Sequence, residues 1–301
     1  MPSATETPSP GAARSGVRDF PMPEVLVPSA RSWLDGRTTD VVPARASATV
    51  MLLRDSARGP EVFLLRRART MAFAADMLAF PGGGVDLRDA EVDVPWAGPG
   101  AEAWADRLGT DAAVARELVT AAAREVFEEC GVLLAGPDAG SVVADLTDPV
   151  WDEERAALLA REQSFGELLA RRGLVLRTDL LRLRAHWTTP RCEPRRYDTR
   201  FFAARMPDGQ VADDRSSEAV QAGWIRPADA LADVAAGRSA ALPPTLVMLE
   251  QLARGADVDA LLGEEVPVRR VMPWPVEHDG RLWMRAPIDG DGHGSGAAEP
   301  G

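Results

Sequence analysis

Three glutamates stand close together in the string Arg124-Glu125-Val126-Phe127-Glu128-Glu129-Cys130-Gly131-Val132. Glu125, Glu128 and Glu129 are spaced i, i+3 and i+4, so on a helix turning about 100° per residue they share one arc. Carboxylates held that close repel one another and cost stability unless something cationic lies between them. Hard divalent cations take oxygen ligands of this kind, and the pattern points to a Mg2+ or Mn2+ site. The competing reading is a solvated acidic face on an ordinary helix. Two features weigh against it. The acids lie beside the buried seam of Val114, Leu118, Ala122 and Val126 rather than opposite it. The run Phe80-Pro81-Gly82-Gly83-Gly84 also precedes the helix, and such a glycine turn lets backbone groups approach a ligand closely.

The elements that must hold these residues are readable from periodicity. The helix is expected from an N-cap at Thr110 or Asp111 to Glu129, with Gly131 at its C-terminal end. Alternating apolar residues predict strands over 46–53 and 61–65 with a turn at 55–60, and a short strand over 77–80 stopped by Pro81 and the glycines. Further strands are expected over 181–187, 199–204 and 219–225. Residues 151–172 read as one charged amphipathic helix, 227–236 as a short helix, and 244–253 as the start of a final helix. A small hairpin is expected within 266–287. Strands and helices mixed in this way imply a layered α/β domain over residues 45 to 255. Residues 1–20 and 289–301, rich in small residues, Pro and Gly and without apolar periodicity, are expected to be disordered. Residues 256–288 form a C-terminal extension expected to be helical.

The string 124–132 resembles the second half of the Nudix box, R-E-U-x-E-E-x-G-U with U aliphatic, and Phe80-Pro81-Gly82-Gly83 resembles the stretch that opens it. Gly83 and Arg124 lie 41 residues apart, against 14 in the regular box, so 27 residues are inserted (41 − 14), placed at about 86–109. The box also expects a glutamate eight residues before its arginine, which usually braces that arginine; Arg116 stands there and Glu117 is one place off. On this count the brace is missing. An insertion inside the box is similar to the branch of the superfamily that includes the peroxisomal coenzyme A diphosphatase of animals. Leu64-Leu65-Arg66-Arg67, Met71-Ala72-Phe73, Trp187-Thr188-Thr189-Pro190 and Arg196-Tyr197-Asp198-Thr199-Arg200-Phe201-Phe202 fit the same branch.

The resemblance implies a Nudix-type α/β/α sandwich with a mixed sheet. It also implies a metal-dependent pyrophosphohydrolase acting on a nucleoside diphosphate linked to another moiety, with coenzyme A or an acyl-coenzyme A as first choice. ADP-ribose or a nucleotide sugar is the allied alternative, and a Nudix-fold module that binds without turnover is the alternative from another class. Glu128 and Glu129 would ligate metal, Glu125 would ligate or act as general base, Arg124 belongs to the catalytic box, and Gly83 would offer a backbone carbonyl. Glu218, just before a late strand, is the candidate further acid. For the substrate the candidates are Arg67, Phe73 and the cluster Arg191, Arg195, Arg196 and Arg200, since arginine grips phosphate in bidentate fashion. Arg196, Asp198 and Arg200 would share a strand face, so an internal salt bridge competes with that role. Trp187 could stack on a base or serve the core, His186 reads as structural, and Cys130 reads as a packing residue. The acidic, aromatic insertion could cover the site or join a dimer interface.

Composition narrows the partners. A net charge of −12 and a pI near 4.9 disfavour a nucleic-acid backbone as partner, though local arginines and metal can still hold a small phosphorylated ligand. Hydrophobic residues at 46% suffice for a sizeable core. Cys130 and Cys192 alone give neither a disulfide framework nor a zinc-ligand spacing. No run of apolar residues is long enough to span a membrane, and the N-terminus lacks a secretory pattern, so a cytoplasmic location is the default expectation. Members of the resembled family are often homodimers.

Overall fold

The computed structural model describes residues 16–67, 77–90, 93–213 and 219–296, the side chains of Arg67 and of residues 219–221 excepted. Its strands are β1 (Arg18–Pro21), β2 (Arg45–Ser56), β3 (Gly59–Arg67), β4 (Leu78–Ala79), β5 (Gly82–Gly84), β6 (Trp96–Ala97), β7 (Ala135–Gly136), β8 (Val175–Arg177), β9 (Arg182–Thr188), β10 (Tyr197–Arg205), β11 (Ala219–Ile225), β12 (Arg270–Val271), β13 (Trp274–His278) and β14 (Arg281–Ala286). Its helices are α1 (Val27–Leu34), α2 (Ala101–Leu108), α3 (Ala112–Cys130), α4 (Pro149–Leu159), α5 (Phe165–Arg172), α6 (Pro227–Ala235), α7 (Pro243–Leu252) and α8 (Val258–Gly263).

Period-two burial builds the centre. Along β2, Ala48, Val50 and Leu52 pack into one apolar cluster while Met51 and Leu53 pack into another on the opposite face. β3 divides Phe63 and Leu65 from Val62 and Leu64 in the same way, and β10 divides Phe202 and Ala204 from Phe201 and Ala203. These strands belong to an eight-stranded sheet of order β11-β3-β2-β10-β9-β12, with β4 on β3 and β5 on β2. β2 runs parallel to β10 and β12 parallel to β9, whereas β2–β3, β3–β11 and β9–β10 are antiparallel. The sheet is therefore mixed. α2, α3 and α5 cover one face, and α7 and α8 cover the other, which is the expected α/β/α sandwich.

α3 is the best-specified element. Asp111 caps it, its carboxylate accepting from Val114 N at 2.9 Å, and Gly131 ends it in the left-handed conformation at φ 67°. Leu118, Val126 and Phe127 are buried against the sheet, each contributing roughly 1.5–3 kcal/mol relative to exposure.

Several expectations need correction. Residues 82–84 do not stop a strand; they form one, pairing Gly82, Gly83 and Gly84 with Thr49, Ala48 and Ser47. The helix expected over 151–172 is two helices. Arg161 takes φ 59° just beyond α4, and Ser164 and Glu167 form a reciprocal capping box that starts α5. The helix begun at Pro243 is not the last, since α8 follows. Of the N-terminal stretch expected to be disordered, Arg18–Pro21 is a strand paired with β14, and Phe20 is buried. At the other end, Asp289 accepts from His293 N, and Ile288 bridges Gly294. The C-terminal extension is mainly the β13–β14 hairpin, joined to β1 in a separate three-stranded sheet. The insertion is not a mere cover. α2 packs along α3, and Trp104 is fully buried edge-on to Phe202, with centroids 5.7 Å apart.

Candidate active site

β5 and the α3 glutamates meet directly. Gly82 lies so close to β2 that a Cβ there would approach Ala48 O to 2.5 Å. A Cβ on Gly83 would come within 2.5 Å of Glu125 Oε1, so side chains at both positions are excluded by contact. Glu129 reaches back to accept from Gly82 N at 2.7 Å. Arg124 ties the two elements together. Its Nη2 donates to Gly84 O at 2.9 Å, its Nη1 to Glu125 Oε1 at 2.8 Å and to Glu128 Oε2 at 3.2 Å, and its Nε to Asp89 Oδ1 at 2.8 Å.

Charge is unbalanced here. Asp89, Glu125, Glu128 and Glu129 supply four carboxylates, and Arg124 supplies one guanidinium against them. Burial pushes the Glu125 carboxyl up to about 7, helped by the Glu128 charge and opposed by Arg124. Burial likewise raises Glu128, again against Arg124. Burial disfavours the charged form of Arg124, yet its bonds to Asp89 and the surrounding carboxylates outweigh that and hold it above the ordinary arginine value. Among the described residues no three acidic, histidine or cysteine side chains converge at ligating distance. The donor set nevertheless suits a hard cation, being all oxygen, in excess of the local positive charge, and set against a backbone turn with no side chain in the way.

A cavity of about 830 Å³ opens at these residues, within the size range of small-molecule sites. It is lined on the α3 side by Gly82–Gly84, Asp86, Arg88, Asp89, Arg124, Glu125 and Glu128, with Arg161 and Phe165 beyond them.

No family model matches the chain. A Caenorhabditis elegans protein described as a candidate nudix hydrolase, number 7, is 25% identical over 256 residues, covering 82% of this chain and 73% of its own length. A solved structure of a NUDIX hydrolase from Alicyclobacillus acidocaldarius superposes with a TM-score of 0.62 at 28% identity, covering 75% of this chain and 98% of that one. The chain is similar to Nudix hydrolases in both sequence and fold.

Against the Nudix box, one expectation is overturned. The arginine does have its brace. Asp89, fully buried, binds Arg124 through two hydrogen bonds, Nε to Oδ1 at 2.8 Å and Nη2 to Oδ2 at 3.0 Å. The acid was sought by counting back from Arg124, across the insertion, which lands on Arg116. Counting forward from Gly83 lands on Asp89, because the extra residues enter after the brace and not before it. Arg116 instead pairs with Asp93 and lies over the Trp96 ring.

The structure brings Arg124, Glu125, Glu128, Glu129 and Gly83 together and leaves the arginine cluster apart. Arg191 and Arg195 are exposed and line no part of the cavity. Arg196 is buried, donating to Val42 O, Thr189 O and Pro190 O. Arg200 donates to Asp198 Oδ2 at 2.7 Å and to His186 Nε2 at 2.6 Å, so the internal salt bridge, not phosphate binding, is the role seen for it. His186 is structural, as expected, its pKa lowered by burial. Cys130 is fully buried, which raises its thiol far above the reactive range. Glu218 and Phe73 lie outside the described residues, as does the side chain of Arg67. The guanidinium groups that do line the cavity are Arg45, Arg88, Arg124 and Arg161. Apart from Arg124 none was singled out from the sequence, since single arginines far apart in the chain carry no local pattern.

Proposed function

We propose that the chain is a Mg2+- or Mn2+-dependent diphosphatase that cleaves a nucleoside diphosphate joined to a second moiety, with coenzyme A or an acyl-coenzyme A as the preferred substrate. The observation that carries this reading is the cluster of Glu125 and Glu128 on the Arg124 guanidinium with Glu129 on the β5 backbone, at the wall of a cavity large enough for a nucleotide derivative. Glu125, Glu128 and Glu129, with the carbonyl of Gly83, would hold the metal. When bound it neutralises phosphate oxygens and makes water acidic enough to attack. Arg124 orients Glu125 and Glu128, and its own position is fixed by Asp89 and Gly84 O. Glu125, buried at the cavity wall, takes the proton from the attacking water. The water oxygen bonds to phosphorus as the bridging P–O bond breaks, giving two phosphate monoesters. Arg45, Arg88 and Arg161 face the cavity and are placed to meet the substrate's remaining phosphate oxygens.

The choice of coenzyme A rests on the branch resemblance; of the motifs that carry it, Trp187 to Pro190, Tyr197, Thr199 and Phe201 line the cavity. Among the described residues no helix is long and apolar enough to cross a membrane.

The test is product analysis with Mg2+ or Mn2+ against coenzyme A, acyl-coenzyme A, dephospho-coenzyme A, ADP-ribose, NADH and nucleotide sugars. Release of 4′-phosphopantetheine from coenzyme A, lost in Glu128→Gln, is the expected result. Cleavage of ADP-ribose or a nucleotide sugar in preference would replace the substrate. Tight binding with no cleavage anywhere would replace the enzyme reading with a binding module.

A further inference from the structure

The cavity does not end at the box. It continues to the opposite side of the sheet, where its wall is apolar: Leu26, Trp187, Phe201, Pro243, Pro273 and Met284. Leu26 directly precedes α1, and Met284 sits in β14, so segments near the two chain ends close this side. One carboxylate stands in that apolar wall. Glu193 lines the cavity, is only 6% exposed, and belongs to the turn between β9 and β10. The other acids lining the cavity, Asp86, Asp89, Glu125 and Glu128, are each bonded to Arg88 or Arg124, whereas among the described residues no arginine pairs with Glu193.

Its polar contacts are few. Ser29 Oγ of α1 lies 2.5 Å from Glu193 Oε1, and Cys192 Sγ lies 3.7 Å from the same oxygen. Both contacts fall on Oε1. A second polar atom of this wall, Trp187 Nε1, is buried with no hydrogen-bond partner among the described residues. A carboxylate and an indole N–H taken out of water are costly when under-satisfied, and such groups commonly mark a place where a ligand completes the bonding. Burial raises the Glu193 carboxyl above its ordinary range, with Ser29 and Cys192 opposing the shift.

We infer that Glu193 is a specificity anchor: it accepts N–H or O–H donors from the moiety that lies beyond the diphosphate, in a largely apolar slot closed by the chain's terminal segments. The inference rests on the reading of this cavity as the substrate site. The ligand chemistry is an apolar group that carries hydrogen-bond donors. Two sources supply it, the amides of a pantetheine-like chain or the hydroxyls and amino group of a nucleoside. A site built around such a donor rejects analogues that lack it, because the buried acceptor is then left unpaired.

The test measures binding, so it does not depend on turnover. Three probes are titrated calorimetrically into the full chain: 4′-phosphopantetheine, AMP, and n-hexyl phosphate, which is apolar and has no donor. Wild type, Glu193→Ala, Glu193→Gln and Ser29→Ala are compared, with melting temperatures recorded for each. One of the two donor-bearing probes is expected to bind about tenfold or more weakly to Glu193→Ala, with n-hexyl phosphate unaffected. Glu193→Gln should fall between, and Ser29→Ala, which removes one contact to Oε1 and the bond to Leu26 O but leaves the carboxylate in place, should bind nearly as wild type. Loss confined to 4′-phosphopantetheine identifies an amide chain, and loss confined to AMP a nucleoside. Equal weakening of all three probes, or Ser29→Ala matching Glu193→Ala, would make Glu193 a structural part of the wall and overturn the proposal. Failure of both donor-bearing probes to bind wild type would overturn it as well. Glu193-dependent binding without any diphosphate cleavage would sink the hydrolase reading and leave the subsite standing.

Discussion

The two sides of the cavity are built on opposite plans. On the α3 side, charge is dense, and most of the residues that matter sit within one helix and one short glycine strand. On the far side, charge is sparse, and the wall is assembled from residues as distant as Leu26 and Met284. The first plan fits an invariable reacting group, a diphosphate, which demands a fixed set of oxygens and cations. The second fits a variable group, whose recognition can change by altering apolar surface without touching the chemistry. On the proposed reading, chemistry and choice of substrate are carried by separate parts of one cavity.

That division can be broken most sharply at Glu128. Glu128→Gln should lower diphosphate hydrolysis by about 10²–10⁴-fold and weaken Mn2+ binding while the fold melts normally. A variant as active as wild type would return the acidic arc to the status of a solvated helix face. Asp89 comes next. Asp89→Asn removes the brace and leaves Arg124 buried beside fewer anions, at a cost of about 3 kcal/mol in urea unfolding together with a large loss of activity. Arg116→Ala, at the place where simple counting puts the brace, should cost less than about 0.5 kcal/mol. Equal effects at the two positions would contradict the geometry.

A smaller effect distinguishes the charged side by ligand alone. Mn2+ at a hundredfold excess over its Kd should stabilise the metal-free protein by about 2.7 kcal/mol, read as a rise in Tm. Glu125→Gln should abolish most of that rise, while Glu193→Gln should leave it intact. Loss of the rise in both would mean that the two sides are not independent.

The smallest effect concerns the sheet that closes the far wall. Asp19 of β1 receives two hydrogen bonds at 2.6 Å from Arg285 of β14, and Arg285 holds its pKa below 3.8, against the opposing effect of burial. A carboxyl with a depressed folded pKa adds stability above its unfolded value and loses it as pH falls through the folded one. Asp19→Asn should therefore cost less than about 1 kcal/mol at pH 7, the pair being partly exposed, and the difference should shrink as acid protonates Asp19 in the folded state. A difference that grew in acid would reverse the assignment.

Legibility in the sequence follows the same division. The three glutamates and the α3 boundaries were readable because a helix repeats within a few residues, so spacing alone places side chains on a face. The alternating strands of the central sheet were readable for the equivalent reason. Asp89 was missed because the insertion separates it from Arg124, although its distance from Gly83 carried the signal. Arg161 broke an apparently continuous helix by adopting a left-handed conformation that nothing in its type announces. The arginine cluster is legible as a charge pattern with two open roles, phosphate binding or a salt bridge to Asp198, and the fold shows Asp198 engaging Arg200 and main-chain carbonyls engaging Arg196. The far wall, and Glu193 within it, had no local pattern to find.

The pairing of β1 with β14 sets an order of events during synthesis. Arg18 lies opposite Ala286, so 268 residues (286 − 18) must emerge before the first strand meets its partner. Contacts of such long range are slow to form, and chains made from the N-terminus onward must hold the early segment until the late one arrives. The sheet carrying the box can be complete while its far wall is still missing. A ribosome stalled before the final hairpin would then display an enzyme with its reactive centre in place and its substrate filter unbuilt.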